Sequence, residues 1–441
     1  MSCFSKKKSK SKMGLSRRWR PILFRDVLGQ DISAEILRKT VQQARVAPAY
    51  LLSGSRGSGK TSLARIFAKA LNCQGIGSDG EPCNSCDSCC DIQQGFSLQV
   101  IEIDGASHRG IDDMRALIET CQYTPDGGGF RVYIVDEVHM LTKEAFNALL
   151  KTLEEPPRHV VFVLATTDPQ KVPSTIKSRC LQLDLRRIPN DVMVRKLALL
   201  LEKEGTCSYD ASVPFLIAER AEGSLRDAES ILEQLLAFSD GHLSIDQVSS
   251  VLGIPNQTLL LDLDEALLKE DIGGVLATGD KLFQQSQDGY VLLRYMAKHY
   301  QNHLMVLSLQ NHSFIQNLSE TQITRFVELN SRFNRKQIVH LLAKIKESIP
   351  ILDFSPQIVF KSLLLEIADM RNYVELSDVL QVLQNLGEEE DLDAPPAEEK
   401  KAPTGEGKDL RMEERRRNSR LENIIQFLAK ETDSVISTKV L

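Results

Sequence analysis

Eight consecutive residues, Gly54-Ser55-Arg56-Gly57-Ser58-Gly59-Lys60-Thr61, match the pattern G-x-x-x-x-G-K-[ST] without a mismatch. Glycines at these places let the backbone wrap closely, so that its N–H groups and those opening the following helix point at phosphate oxygens. Lys60 then neutralises the β- and γ-groups of a nucleoside triphosphate, Thr61 offers its hydroxyl to magnesium, and Ser62 closes the run of candidate contacts. A magnesium site of this kind needs a carboxylate from a second strand. VYIVDE supplies it: Asp136 ends an apolar run and fits the metal role. Glu137, the next residue, is placed to polarise a water against the γ-phosphate, which points to ATP hydrolysis rather than transfer to a substrate hydroxyl.

Five of the nine cysteines crowd between positions 73 and 90. Cys73, Cys83, Cys86 and Cys89 have the spacing C-x9-C-x2-C-x2-C, and four thiolates suit a closed tetrahedral zinc site that folds a loop lacking its own core. An iron–sulfur cluster is the competing reading of such dense spacing. Cys90 is the expected spare thiol, with an exchange of register with Cys89 left open. Thr166 and Thr167 close the run HVVFVLATT, where a hydroxyl can orient the attacking water. Arg179 in Ser178-Arg179-Cys180 and Arg226 in Gly223-Ser224-Leu225-Arg226-Asp227 are candidate cations for a γ-phosphate. His139 and the other seven histidines are scattered along the chain and read as structural.

These groups need elements to hold them. The apolar run AYLLS precedes the glycine turn, and SLARIFAKAL follows it with Leu63, Ile66, Phe67 and Ala70 at helical spacing: strand, loop, helix. Further strands are expected in QVIEID (99–104), RVYIVDE (131–137), HVVFVLATT (159–167) and CLQLDL (180–185), with helices over 112–121 and 143–154 between them. Most of these strands are apolar on both faces, so a parallel sheet sandwiched by helices is expected over the first 185 residues. Beyond Pro189 the period becomes helical and stays so. Four short helices ending near glycines form one small domain, and longer amphipathic helices over 258–268, 272–285, 290–309, 335–347 and 356–369 form another. From Gly387 a charged Pro/Gly-rich linker is expected to be disordered, followed by a short helix with Leu421, Ile424, Ile425 and Leu428 along one face.

Length and composition agree with this division. The 441 residues suggest about three domains at roughly 150 residues each. With 42% hydrophobic and 26% charged residues, wholesale disorder is excluded. No window is apolar enough to cross a membrane, and the start lacks the apolar stretch of a secretory signal, so a cytoplasmic protein is expected. The net charge is −6, yet the first twenty residues hold eight Lys or Arg and no acid, an arm suited to nucleic acid or an acidic partner.

Together the segments 17–30 (RRWRPILFRDVLGQ), SGSRGSGKTSLAR, the four-cysteine insertion, IEIDGASHRGIDDMR, VYIVDEVHMLTKEAFNALLKTLEEPP, LATTDPQKVPSTIKSRC and EGSLRDAES resemble the ATPase subunits of bacterial clamp loaders, the tau/gamma family of DNA polymerase III within the AAA+ superfamily. The likeness runs from about residue 17 to 370. It implies an AAA+ P-loop domain (21–187) with a zinc insertion (72–92), a helical lid (188–253) and an all-α collar (254–386), preceded by the basic arm (1–20) and followed by the linker and helix (387–441). It implies further that Val27, Leu28 and Gly29 border adenine, that Thr167 and Arg226 are the first and second sensors, and that Arg179 is an arginine finger inserted into a neighbouring subunit. The implied partners are the other subunits of a hetero-oligomeric ring, the sliding clamp and primed DNA. The stretch after Gly387 is short beside the long form of the family, which leaves contacts with the polymerase core and replicative helicase open. No second acidic constellation stands outside Asp136 and Glu137, so any nucleotidyl transfer belongs to the assembly and not to this chain. Two rival readings are a nucleotide-binding scaffold without turnover and another AAA+ DNA motor such as a branch-migration helicase.

Overall fold

The computed structural model describes residues 14–369, apart from 126–127, 206, 240, 287, 310 and 312–319. The lysines of the basic arm, the end of the collar (370–386), the linker and the final helix lie outside the described residues.

Strands β1 (Ala49–Gly54), β2 (Val100–Asp104), β3 (Arg131–Asp136), β4 (Val160–Thr166) and β5 (Leu181–Leu185) form one parallel sheet in the order β2-β3-β4-β1-β5. Successive side chains in a strand point to opposite faces, so both faces of this sheet carry apolar residues and both need cover. Tyr50, Leu52, Ile134 and Val163 pack with Leu63, Ile66 and Phe67 on one face, under α2 (Asp31–Gln42) and α3 (Lys60–Asn72). Leu51, Tyr133, Phe162 and Leu164 pack on the other with Met114 and Leu149, from α5 (Ile111–Thr120) and α6 (Lys143–Glu154). The all-parallel register puts the carboxyl ends of β1, β3 and β4 along one edge, where ligands of open α/β sheets bind. The expected strands and the helices flanking them are all present. In addition α4 (Asp87–Gln94) turns inside the cysteine loop and α7 (Ser174–Lys177) precedes β5.

Where the sequence leads one to expect the lid, the chain forms α8 (Asn190–Glu204), α9 (Val213–Ala221), α10 (Leu225–Phe238) and α11 (Ile245–Leu252) around one apolar cluster, with a two-strand parallel pair, β6 (Ser208–Tyr209) and β7 (His242–Leu243). Helices α8 and α11 stop at left-handed glycines, Gly205 and Gly253, as the sequence expects. Residues 14–20, grouped with the basic arm by their charge, fold onto this domain. Leu15 of α1 (Leu15–Arg18) enters its core, Arg18 pairs with Glu204 at 3.0 Å, and the Trp19 indole donates to the same carboxylate at 2.9 Å. Leu15 is buried and Trp19 half-buried against these helices, while Arg17 stays exposed and Arg18 and Arg20 are half-buried, so the apolar pair fastens the segment despite its charge.

The third domain is α12 (Gln257–Leu268), α13 (Ile272–Ser286), α14 (Gly289–Leu309), α15 (Glu320–Asn330), α16 (Arg335–Ser348) and α17 (Pro356–Ala368) around a single apolar cluster. Helix α15 is the one member that the helical periodicity does not announce. Among the described residues no helix is long and apolar enough to cross a membrane.

Candidate nucleotide and metal sites

The glycine loop sits between β1 and α3, as its chemistry requires. Gly57 and Gly59 take positive φ, 76° and 101°, and a Cβ on Gly57 would run into the Ser224 hydroxyl of the lid. Lys60 bends back over the loop, its amine 3.0 Å from the carbonyl oxygens of both Gly54 and Ser55. Burial lowers the Lys60 pKa, an effect that the nearby carboxylates of Glu137 and Asp136 only partly offset. Ser55 Oγ and Ser58 Oγ are buried with no hydrogen-bond partner among the described residues. A triphosphate threaded through the loop gives the lysine and both hydroxyls their acceptors and donors, so the loop fits that ligand.

Thr61 Oγ1 donates to Asp136 Oδ2 at 2.6 Å, joining the start of α3 to the end of β3. This is the oxygen pair that the sequence assigns to magnesium, and it is already assembled. Glu137 has a left-handed backbone (φ 47°, ψ 46°) that aims its carboxylate along the sheet edge. There its Oε2 accepts from the Thr167 hydroxyl at 2.9 Å and the Thr167 N–H at 3.2 Å. His139, taken from the sequence as structural, joins the same group. Its Nδ1 lies 3.4 Å from Glu137 Oε2 and 3.1 Å from Thr166 Oγ1. Its signal in the sequence is its place two residues after the acid, in the short turn that follows the strand.

A cleft of about 240 Å³ opens above these residues. Val27, Leu28, Arg56, Gly57, Ser58, Gly59, Lys60, Thr61 and Ser62 line it with Asp136 and Glu137, and the lid contributes Ile188, Leu225, Arg226 and Glu229. Gly29 stands just behind, against Ile188 and Pro189. Gln30, not singled out by the sequence, ties the parts together. Its side-chain amide donates to Arg186 O at 2.7 Å and accepts from Arg186 N at 3.0 Å, and it reaches Ser58 O at 3.4 Å. Arg179 is not in this cleft. It leaves the end of α7 to pair with Glu154 at 2.5 Å and to donate to Thr175 O at 2.8 Å. The two arginines are therefore separated by position: Arg226 lines the cleft and Arg179 does not. A much larger cleft beside the nucleotide site, about 1590 Å³, is lined by Arg17, Arg20, Arg65, Lys196 and Lys203 among others, so the basic end of the arm borders it.

Cys73 caps the end of α3, Cys86 opens α4 and Cys89 lies within it. The sulfurs of Cys73, Cys83, Cys86 and Cys89 all lie within 4.8 Å of one another, so Cys89 and not Cys90 completes the set. Backbone N–H groups point at them: Cys83 N to Cys73 Sγ at 3.2 Å, Cys86 N to Cys83 Sγ at 3.3 Å and Cys89 N to Cys86 Sγ at 3.5 Å. Burial works against the Cys83 thiolate, but hydrogen bonds from Ser85, Cys86 and Cys73 bring its pKa down to about 5. Thiolate-favouring donors and four converging sulfurs fit zinc at tetrahedral spacing. The insertion also braces the segment before the glycine loop. Buried Glu81 accepts from Phe24 N at 2.8 Å and Arg25 N at 3.1 Å, and Lys69, beside the cysteines, donates to Ile22 O at 2.9 Å.

Residues 29–189 match the family model described as DNA polymerase III, delta subunit. The gamma subunit of DNA polymerase III from Buchnera aphidicola subsp. Schizaphis graminum is 36% identical over 346 residues, 78% of this chain and 93% of that protein. The tau subunit from Escherichia coli K12 is 46% identical over 263 residues, 60% of this chain and 41% of that protein, so the match to the long form spans about two fifths of its length. Among solved structures, the Thermotoga maritima RuvB Holliday junction branch migration motor is 19% identical with a TM-score of 0.41, covering 55% of this chain and 78% of that one. An arrangement in which one strand's glycine loop meets the carboxylates of another thus coincides with close similarity over nearly the whole of a gamma subunit, and the chain belongs to the gamma/tau subunit family of DNA polymerase III.

Proposed function

We propose that this chain is an ATP-hydrolysing motor of a clamp loader, working in a hetero-oligomeric ring that opens a sliding clamp and leaves it closed around primed DNA. The observation that carries the reading is the continuous chain of contacts from Thr61 through Asp136 to Glu137 and Thr167 at the carboxyl edge of the sheet. In this reading the loop N–H groups and Lys60 bind the triphosphate, and Val27 and Leu28 wall the base. Thr61 and Asp136 would hold magnesium, which supplies positive charge against the phosphates. Glu137, fixed by Thr167, takes a proton from the attacking water. Arg226 brings the lid onto the same nucleotide, and Arg179, which does not line this cleft, serves the site of the next subunit in the ring. Cys73, Cys83, Cys86 and Cys89 hold zinc in a structural role. The cytoplasmic setting, and contacts with a polymerase core and helicase, belong to the same proposal.

A scaffold that binds ATP without turnover would not need Glu137 held in a strained conformation against a hydroxyl. Replacing Lys60 by alanine tests the site. ATP binding measured under magnesium by calorimetry is expected to be abolished in Lys60→Ala while the zinc content stays unchanged. Unaltered binding would show that the triphosphate sits elsewhere.

A further inference from the structure

The third domain buries a carboxylate and two imidazoles that the nucleotide site does not use. Asp264 on α12 is 0% exposed, and His299 and His303 on α14 are 5% and 0% exposed. The two histidines are four residues apart, so one helix face presents both. Their Nε2 atoms stand 3.3 Å apart, and Asp264 Oδ2 lies 2.7 Å from the first and 3.0 Å from the second. On its far side His303 places Nδ1 2.8 Å from Asn330 Oδ1 of α15. That oxygen only accepts, so Nδ1 donates to it, and Nε2 is the ring nitrogen turned toward the carboxylate. One carboxylate oxygen and two imidazole nitrogens thus converge on one point inside an apolar core, a buried set of the kind that holds a cation. Asp264 Oδ1 and the Tyr300 hydroxyl are also buried with no hydrogen-bond partner among the described residues.

We infer that Asp264, His299 and His303 form a second metal centre, which takes a divalent transition-metal cation and best suits zinc. Zinc–nitrogen bonds of about 2.0–2.1 Å in tetrahedral array set neighbouring ligand atoms roughly 3.3 Å apart. The histidine pair already has that spacing, and the Asp264 oxygen has to withdraw by only about half an ångström to reach it. Asn330 plays the outer part usual for a metal-bound imidazole, fixing the proton on the distal nitrogen. A fourth position stays open to water. The ion ties α12 to α14 and, through Asn330, to α15, and so fastens the third domain from within. The centre does not depend on the nucleotide site or on the four cysteines.

Zinc counted by mass spectrometry on the purified full-length chain, after zinc loading and gel filtration, tests the assignment. The Cys83→Ser chain, without its cysteine site, is expected to keep a full equivalent of zinc. Adding Asp264→Asn, which preserves shape, or His303→Gln is expected to remove that equivalent while helix content by circular dichroism is retained. Cobalt loaded into the Cys83→Ser chain is expected to show weak d–d bands without thiolate charge transfer. Should Cys83→Ser fail to fold, the parent chain carries the test, and Asp264→Asn alone must lower its zinc by one equivalent. A folded Cys83→Ser chain devoid of zinc, or zinc content indifferent to Asp264→Asn, would overturn the proposal and leave an imidazolium–carboxylate pair only. Loss of all zinc from a Cys83→Ser chain that still binds ATP would sink this centre and leave the nucleotide reading standing.

Discussion

Glu137 occupies a backbone region that costs a non-glycine residue about 1–2 kcal/mol. Strain of this kind persists where the surroundings over-determine it, and here two donors of Thr167 and the neighbouring His139 do so. Glu137→Gln keeps the size of the side chain and can keep the Thr167 contact but cannot accept a proton. We expect it to bind ATP normally and to hydrolyse it about 10²–10⁴-fold more slowly, read from steady-state phosphate release beside a binding titration. Equal turnover would remove Glu137 from the role of base. Glu229, in the lid wall of the cleft, carries a different signature. Burial pushes its pKa up to about 7, with Lys196 and Arg20 pulling the other way. Its folded pKa lies above its ordinary value, so the native state holds the extra proton. Its stabilising contribution is whole below about pH 4.5 and is lost as pH rises to about 7, a change on the order of 3 kcal/mol. Thermal melts of Glu229→Gln across that window are expected to lose this slope and to exceed the parent above pH 7. A slope unchanged by the substitution would assign it to other groups.

The elements were readable wherever their pattern was long and repeated. Apolar runs such as VVFVLAT gave the strands, and the glycine loop fixed which strand and helix it joins. The rest depended on folding. Thr167 and Glu137 are thirty residues apart, and only parallel pairing of β3 with β4 brings them together. His299 and His303 looked scattered because Asp264, their partner, is 35 residues before His299, in another helix. Helix α4 buries only Cys89 and Ile92, too few to show a period, and its start is set by Cys86, whose sulfur accepts from Cys89 N. The same loop passes Glu81 beneath residues 24 and 25, which makes the cysteine insertion a prop for the wall of the nucleotide cleft. Cys83→Ser is therefore expected to lose the zinc of that insertion and to weaken ATP binding several-fold through the freed 22–28 segment, measured by metal analysis and titration on one sample. Iron with visible absorbance in the parent chain would contradict the zinc assignment.

Across the molecule, the nucleotide cleft is where the sheet domain and lid meet. Gln30 bonds to both amide groups of Arg186 at the end of the sheet domain, Ile188 N donates to Gly223 O at 3.2 Å, and Ser224 stands over Gly57. Under the proposed function, a change of phosphate occupancy at the loop is expected to reach the lid through these contacts, and Leu15 and Trp19 pack on the same lid. Arg179 does not line this cleft, so under the proposed function its effect is expected only across a junction between subunits. The most direct measurement is steady-state ATP hydrolysis by the full chain assembled with its ring partners, with and without sliding clamp and primed DNA, run beside Arg179→Ala. Turnover is expected to rise when clamp and DNA are both present, and Arg179→Ala is expected to depress it in the ring while leaving the isolated chain's ATP affinity unchanged. Hydrolysis indifferent to clamp and primed DNA, or an equal loss from Arg179→Ala in the isolated chain, would contradict a motor that works between subunits.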